Sequence, residues 1–477
     1  MDKDFDKAIE KEAGKKSPKP KKTDKDKERE VSYFENENYI LEQIKNTTHT
    51  THLTQLTERE YIKYSKDSGS VEQISSFEHN GILYKPIIDD LYEKNAIVLP
   101  SGVEEYGNDK KLVSEIREFF NSYFEVPKFF EEFLPYLCLF YWVYDKFPFV
   151  PYIHFVGRTS TGKTTAMEVF GSLCYKPIDA SGAITMASIF RTASTWRGTL
   201  LLDEFESAGQ NYKEMLAFLK SGVGDKAVLR TEGDSKREVR AYVIKSPKVF
   251  TSENPINNAG LQSRTLVIQM QKNKRRIPLY RLKNFIYDSE RLRNKLLLWR
   301  LRNLNDIDLR KIEYGFKNLR VFDRRVQQVI TPIYYLSDKE TKKTIIKFAK
   351  EQQEETLRER REALDGQIFQ SIYESMEKGE EPSISTIYEY INGQGEKTKR
   401  YPTSERKIGS VVRKILGFDI VRKGTDNVST IIVEEAKDQL KELCAYYGLE
   451  FKDSLYYKRV ESVESDEVAE VKEIFGA

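Results

Sequence analysis

The chain is 477 residues long, with 78 Lys and Arg against 75 Asp and Glu and a formal net charge of +3. At roughly 100 to 200 residues per domain there is room for two to four domains, and a nearly neutral total excludes any argument for nucleic acid from bulk charge, leaving only local clusters. The three cysteines, Cys138, Cys174 and Cys444, are far apart in sequence, so neither a disulfide framework nor a zinc site is indicated and a reducing, cytoplasmic setting is expected.

Residues 1–30 are almost entirely charged or small and polar, with Pro18 and Pro20. They are expected to be a disordered charged tail, because they cannot bury enough apolar surface to order themselves. The start Met1-Asp-Lys-Asp-Phe5 has no apolar run of signal-peptide length, so secretion is not expected. Residues 31–108 read as a small N-terminal module with strand candidates at Gly81–Lys85 and Ala96–Leu99. From Lys110 to Tyr144 the apolar spacing predicts two helices broken near Val126-Pro127. The most apolar stretch, Phe133–Tyr144, stops at Asp145-Lys146, short of the roughly 20 residues that span a membrane, and reads as a buried helix.

Tyr152-Ile-His-Phe-Val156 then empties into Gly157-Arg-Thr159-Ser160-Thr161-Gly162-Lys163-Thr164-Thr165. An apolar strand, a glycine-bounded turn and a helix starting near Lys163 make a phosphate loop. The glycines let backbone N–H groups turn inward, and the helix aims its positive end at the same point. Lys163 is expected to reach the β- and γ-phosphates of ATP, and the Thr164 hydroxyl to ligate Mg²⁺. Further on, Thr199-Leu-Leu-Leu-Asp203-Glu204 is a short apolar strand closing on two carboxylates. Asp203 is placed beside Mg²⁺ and Glu204 against the attacking water; a kinase needs no such glutamate, so the pair favours hydrolysis.

Helices are expected at Thr185–Trp196 and Tyr212–Ser221. Between them and the next core strand, Ala227–Glu232 and Arg237–Ile244 read as a hairpin turning at Gly233-Asp234. Its tip carries Lys236 and Arg237, and composition alone leaves a solvated tip and a DNA-contacting tip equally open. Lys248–Ser252 is the next strand, followed by Asn254, an uncharged polar group that can hydrogen-bond the γ-phosphate or the attacking water. Arg264 stands immediately before a buried-looking strand, Thr265–Ile268. At such an edge an arginine can complete a neighbouring subunit's site or pair with a local acid.

This order of motifs, from Tyr152 to Met270, resembles the AAA+ ATPases and, within them, the hexameric replicative helicases of superfamily-3 and MCM-like type carried by phages, plasmids and mobile elements. The resemblance implies an α/β AAA+ P-loop core over residues 109–272, with the inserted hairpin projecting into a ring channel and Lys236 and Arg237 gripping DNA. It also implies a second sensor arginine, for which Arg325, within the helical pattern Asn318–Pro332, is the choice. Residues 273–362 are expected as a helical lid and connector whose many charges form a solvated face.

Residues 363–455 read as three helices, Leu364–Met376, Ser383–Ile391 and Ser404–Leu416, followed by a hairpin from Phe418 to Val433. Three helices and a β-wing resemble a winged-helix module, in which Arg406, Lys407, Arg413 and Lys414 on the third helix would meet duplex DNA. Residues 456–477 are an acidic tail. Together these readings describe a ring-forming ATP-dependent DNA helicase, most simply a homohexamer. The rival is a winged-helix initiator using ATP as an assembly switch; a protein remodeller would want an aromatic pore loop, and none stands at the hairpin tip.

Overall fold

Tyr152–Val156 (β8) is buried at all five positions, as is Lys248–Ser252 (β13), and a strand with no polar face has to be covered on both sides. The structure, a computed structural model, describes residues 28–45, 60–181, 185–204, 212–232, 238–256, 258–308, 310, 312, 316–393, 403–423, 428–433 and 437–452. Its described residues form two compact units that part between Lys347 and Phe348.

The first unit begins with short strands: β1 (Glu28–Glu30), β2 (Tyr33–Glu35), β3 (Tyr39–Ile44), β4 (Glu60–Ser65), β5 (Val71–Ile74), β6 (Phe77–His79) and β7 (Ile82–Lys85). They make a sheet of order β2-β3-β4-β5 and another of order β1-β7-β6. Glu28–Glu30, expected within the charged tail, instead pairs in parallel with β7; the ladder uses backbone groups, which every residue carries. Ala96–Leu99, expected as a strand, contributes only an isolated bridge from Ile97 to Ile178.

After the short helix α1 (Asp90–Glu93) come α2 (Asp109–Tyr123), α3 (Lys128–Val143), β8, α4 (Lys163–Ser172), β9 (Ile178–Asp179), α5 (Met186–Trp196), β10 (Leu200–Leu202), α6 (Tyr212–Ser221), β11 (Val228–Glu232), β12 (Glu238–Tyr242), β13, α7 (Ala259–Gln262) and β14 (Thr265–Gln269). The central sheet has the order β14-β8-β13-β10-β9, all neighbours parallel. On one face Tyr152, Leu200, Leu202 and Phe250 pack against α5 and α6 in a core that also holds Ile87, Ile97 and Leu99. On the other, Phe124 meets Phe155, and Tyr141 and Phe120 flank Phe170 of α4. The hairpin β11–β12 is antiparallel from Val228↔Tyr242 to Glu232↔Glu238; its tip, with Lys236 and Arg237, lies outside the described residues. The ribbon is anchored at its base by buried Tyr242 and by the Arg230 guanidinium 4.4 Å above the Phe190 ring, while Leu229 and Val239 are 68% and 64% exposed.

Helices α8 (Lys283–Asn303), α9 (Arg324–Leu336) and α10 (Lys339–Glu362) follow. Lys283, Asp288, Arg291 and Arg302 of α8 are exposed as expected, but three of its cations leave the solvated face: Arg293, Lys295 and Arg300 are buried. Arg300 donates through Nε to Glu42 of β3 at 2.7 Å and through both terminal nitrogens to Asp145 at 2.8 Å. Glu42 also receives the Tyr175 hydroxyl and the Lys176 ammonium. Gly198 passes so close to this loop that a Cβ there would lie 2.1 Å from the Lys176 carbonyl.

The second unit holds α11 (Leu364–Lys378), α12 (Ile384–Gly393), α13 (Glu405–Val411), the antiparallel pair β15 (Asp419–Lys423) and β16 (Val428–Ile432), and α14 (Lys437–Tyr447). A π turn over Val412–Leu416 prolongs α13. Ile415, seven residues beyond buried Ile408, would share its face in α register. The extra residue in the turn puts Leu416 into the core and leaves Ile415 61% exposed.

Removing one member of a buried ion group strands the others in a low dielectric, with losses of about 3–5 kcal/mol. Arg300→Met is therefore expected to lower the free energy of unfolding by that amount, read as an earlier urea midpoint. A change below about 1 kcal/mol, the range of exposed pairs, would show that the network does not hold the first unit together.

Candidate functional site

The phosphate loop sits where β8, flanked by β14 and β13, ends; in parallel sheets ligands gather at the carboxyl ends of the strands. Two residues in it have left-handed backbone, Ser160 with φ of 65° and Gly162 with φ of 85°. Gly157 is hemmed in: a Cβ there would stand 2.8 Å from the Met270 carbonyl and 2.9 Å from Thr161 Oγ1. The Arg158 carbonyl accepts from the Thr161 hydroxyl at 2.8 Å and from Lys163 Nζ at 3.1 Å, and Lys163 is buried. Thr159 and Ser160 are exposed at the crest, and Thr165, in the first turn of α4, hydrogen-bonds Tyr280.

Thr164 Oγ1 lies 3.0 and 3.2 Å from the two Asp203 carboxylate oxygens. A hydroxyl and a carboxylate converging at the mouth of a phosphate loop are the oxygen donors that Mg²⁺ takes from protein when phosphate and water complete its shell. Among the described residues no group of three or more His, Cys, Asp or Glu could hold a metal by itself. Gly162, with only Asn273 Nδ2 within 4 Å of where its Cβ would be, leaves the inner wall of the loop open to an anion.

Thr251, which the sequence reading missed, organises the acids. Its hydroxyl donates to Asp203 Oδ1 at 2.5 Å and accepts from the Glu204 N–H at 2.9 Å. Glu204 is exposed at the end of β10 with φ of 45°, a backbone region uncommon for non-glycine residues and concentrated at functional sites. On the next residue of β13, the Ser252 hydroxyl donates to the Asn254 carbonyl at 2.5 Å. With that proton committed, the 2.5 Å contact between His154 Nε2 and Ser252 Oγ has the histidine as donor. Glu253, also missed, accepts from the Thr159 hydroxyl at 2.5 Å. Asn254 is exposed one residue further on.

Arg264 is at the other end of the sheet. Its carbonyl accepts from Tyr152 N at 3.1 Å, at the start of β8. The five-residue strand puts about 16 Å between that point and the phosphate loop, at ~3.3 Å per residue. Its Nη1 donates to the Lys220 carbonyl at 3.4 Å, so no local acid takes the guanidinium in any hydrogen bond described. Burial first, and then the nearby Arg325, lower its pKa. Arg325, expected as the second sensor, is near enough to Arg264 to act on it electrostatically. Arg281 reaches α4, where its Nε and Nη2 hold Glu168 at 2.9 and 2.5 Å.

In the second unit Arg406, Lys407, Arg413 and Lys414 are all exposed, and among the described residues none of them has an ion-pair partner within 4 Å. No helix among the described residues is long and apolar enough to cross a membrane.

No protein-family model matches the sequence, and no curated protein matches it. Among solved structures the chain is similar to one titled "SCCmec type IV Cch - active helicase", at 14% identity and a TM-score of 0.40, covering 91% of this chain and 75% of that one. It is also similar to the A form apo structure of the NrS-1 C terminal region, at 12% identity and a TM-score of 0.36, covering 82% and 96%. Likeness at that level leaves function to be decided by the site itself.

Burial lowers the His154 pKa from an ordinary 6.5 to about 3. Between those values the unfolded chain takes up a proton that the folded site refuses, so this contribution to stability is whole above pH 6.5 and is lost as pH falls toward 3. The urea midpoint is expected to drop from pH 7 to pH 5, and His154→Gln to flatten that slope; an unchanged slope would place the acid sensitivity elsewhere.

Proposed function

We propose that the chain is an ATPase of AAA+ type, built on the superfamily-3 or MCM-like plan, that assembles as a homohexameric ring and works as a replicative DNA helicase for a phage or mobile element. One observation carries the hydrolytic half: the Thr164 hydroxyl and the Asp203 carboxylate meet at the mouth of a loop with left-handed residues at Ser160 and Gly162. ATP would lie along Gly157–Thr165 with Lys163 on its phosphates. Mg²⁺, held by Thr164 and Asp203, supplies charge neutralisation at the transferring group when bound. Glu204 would take the proton of the attacking water and Asn254 would position that water, with Thr251 fixing both acids.

The oligomeric half rests on Arg264. An arginine about 16 Å from its own chain's phosphate loop, whose guanidinium donates to a carbonyl and, among the described residues, to no carboxylate, is suited to a neighbouring copy's site. Hydrolysis in one subunit would then move the next, and with it the ribbon that ends in Lys236 and Arg237. The second unit would be a winged helix that places Arg406, Lys407, Arg413 and Lys414 on duplex DNA. Those four exposed cations also favour the alternative, an initiator that uses ATP as an assembly switch and separates no strands.

Glu204→Gln is expected to bind ATP with near wild-type affinity and to lose at least about 100-fold in turnover. Wild type is expected to unwind a forked duplex with ATP, and Lys236→Ala/Arg237→Ala to fail. ATP hydrolysis without unwinding by the wild type would favour the switch.

Lys163→Ala and Arg264→Ala, each expected to be inactive, should regain ATPase activity when mixed. A mixed assembly contains interfaces that pair an intact loop from one chain with an intact arginine from the other. No recovery on mixing would return Arg264 to a role inside its own chain.

A further inference from the structure

Three consecutive residues at the end of β13 face three different partners. Thr251 holds Asp203 and the Glu204 backbone. Ser252 is tied on one side to His154 and on the other to the Asn254 carbonyl, which fixes the turn that follows. Glu253, at the head of that turn, reaches the phosphate loop, where its Oε1 accepts from the Thr159 hydroxyl at 2.5 Å. The placement is set by backbone as well as by side chains. In the β13–β8 ladder Ser252 lies opposite Val156, and Gly157 N donates to the Ser252 carbonyl at 3.2 Å. The residue after Ser252 is thereby carried alongside the loop that begins at Gly157.

A carboxylate is an odd group to bring to a loop built for anions. The neutral Thr159 hydroxyl can bond either to that carboxylate or to a phosphate oxygen, and it has one proton to give. A terminal phosphate arriving at Thr159 would also meet a like charge at short range, and like charges so placed disfavour each other even at an exposed site.

We propose that Glu253 is a latch on the phosphate loop: its bond to Thr159 must be displaced by the terminal phosphate of a triphosphate, and its charge sets the site against that phosphate and not against a diphosphate. The proposal rests on the reading of the loop as an ATP site and adds a residue to it. Displacing Glu253 pulls on the turn anchored by Ser252. Thr251, on the same strand, holds both acids, so the arrival of the terminal phosphate is passed directly to Asp203 and Glu204. The latch makes the acids sensitive to which nucleotide is bound.

The test uses the full-length protein and isothermal titration with a non-hydrolysable ATP analogue and with ADP, each with Mg²⁺. Glu253→Gln keeps an acceptor for Thr159 and removes the charge. It is expected to tighten the triphosphate analogue about tenfold, the order of effect that one screened like charge exerts at short range, and to shift ADP by less than twofold. Thr159→Val breaks the bond and keeps the charge, and is expected to give a smaller gain for the triphosphate than Glu253→Gln. Equal tightening of both nucleotides, no change in either, or weaker binding of the triphosphate would overturn the latch. An unchanged affinity with turnover reduced 100-fold would also overturn it, by making Glu253 a group that acts on water. A Lys163→Ala protein that bound both nucleotides like wild type would instead overturn the reading of the loop, a separate failure.

Discussion

Parallel strands have all their carboxyl ends on one side of the sheet and all their amino ends on the other, and the functional chemistry of the first unit follows from that polarity. Loops leaving β8, β10 and β13 necessarily converge, which is why Thr164, Asp203, Glu204, Thr251 and Glu253 are neighbours although they come from segments up to 89 positions apart. Whatever precedes a strand is carried to the opposite side. Arg264 precedes β14, so no adjustment of its rotamer can bring it to its own chain's phosphate loop.

Such a sheet transmits displacement only if its surroundings are stiff, and the Glu42–Arg300–Asp145 group supplies stiffness where the N-terminal strands, α3 and α8 meet. A planar guanidinium with both edges occupied by carboxylates has little freedom to rotate. Its faces are stacked too, 4.6 Å from the centroid of Tyr175 and 5.0 Å from that of Tyr33. Buried charge of this kind is a poor source of net stability compared with apolar packing, and it specifies one arrangement over others because any slip leaves an ion without its partner. The N-terminal strands are therefore part of the body that carries the parallel sheet and not an appendage to it.

What could be read from sequence was what depends on short range. The phosphate loop, the acids closing β10 and the hairpin strands are local patterns whose spacing dictates their conformation, and the boundaries of β8, α4, α6 and β13 fall where periodicity and glycine placement put them. Thr251 was invisible because its partner, Asp203, lies 48 positions away and the meeting depends on the register of two strands. Glu253 escaped for the same reason, its partner being 94 positions distant. Arg300 looked like one more solvated cation on a charged helix, since a period says which residues share a face and nothing about what covers it. For Arg325 the helix was legible from its period, and its closeness to Arg264 was not. Lys236 and Arg237, legible as a basic tip, lie outside the described residues.

The π turn at Val412–Leu416 holds one residue more than an α-helical turn would. A helix that gains one residue must either rotate everything beyond it by about 100° or swallow the addition in a single widened turn, and here the second course keeps Leu416 and Phe418 in the core. Shortening this segment by one residue would restore regular winding without disturbing either flank. Helix length in the second unit is thus a parameter that can drift by single steps, altering the outward surface at Arg413, Lys414 and Ile415 while the interior stays the same.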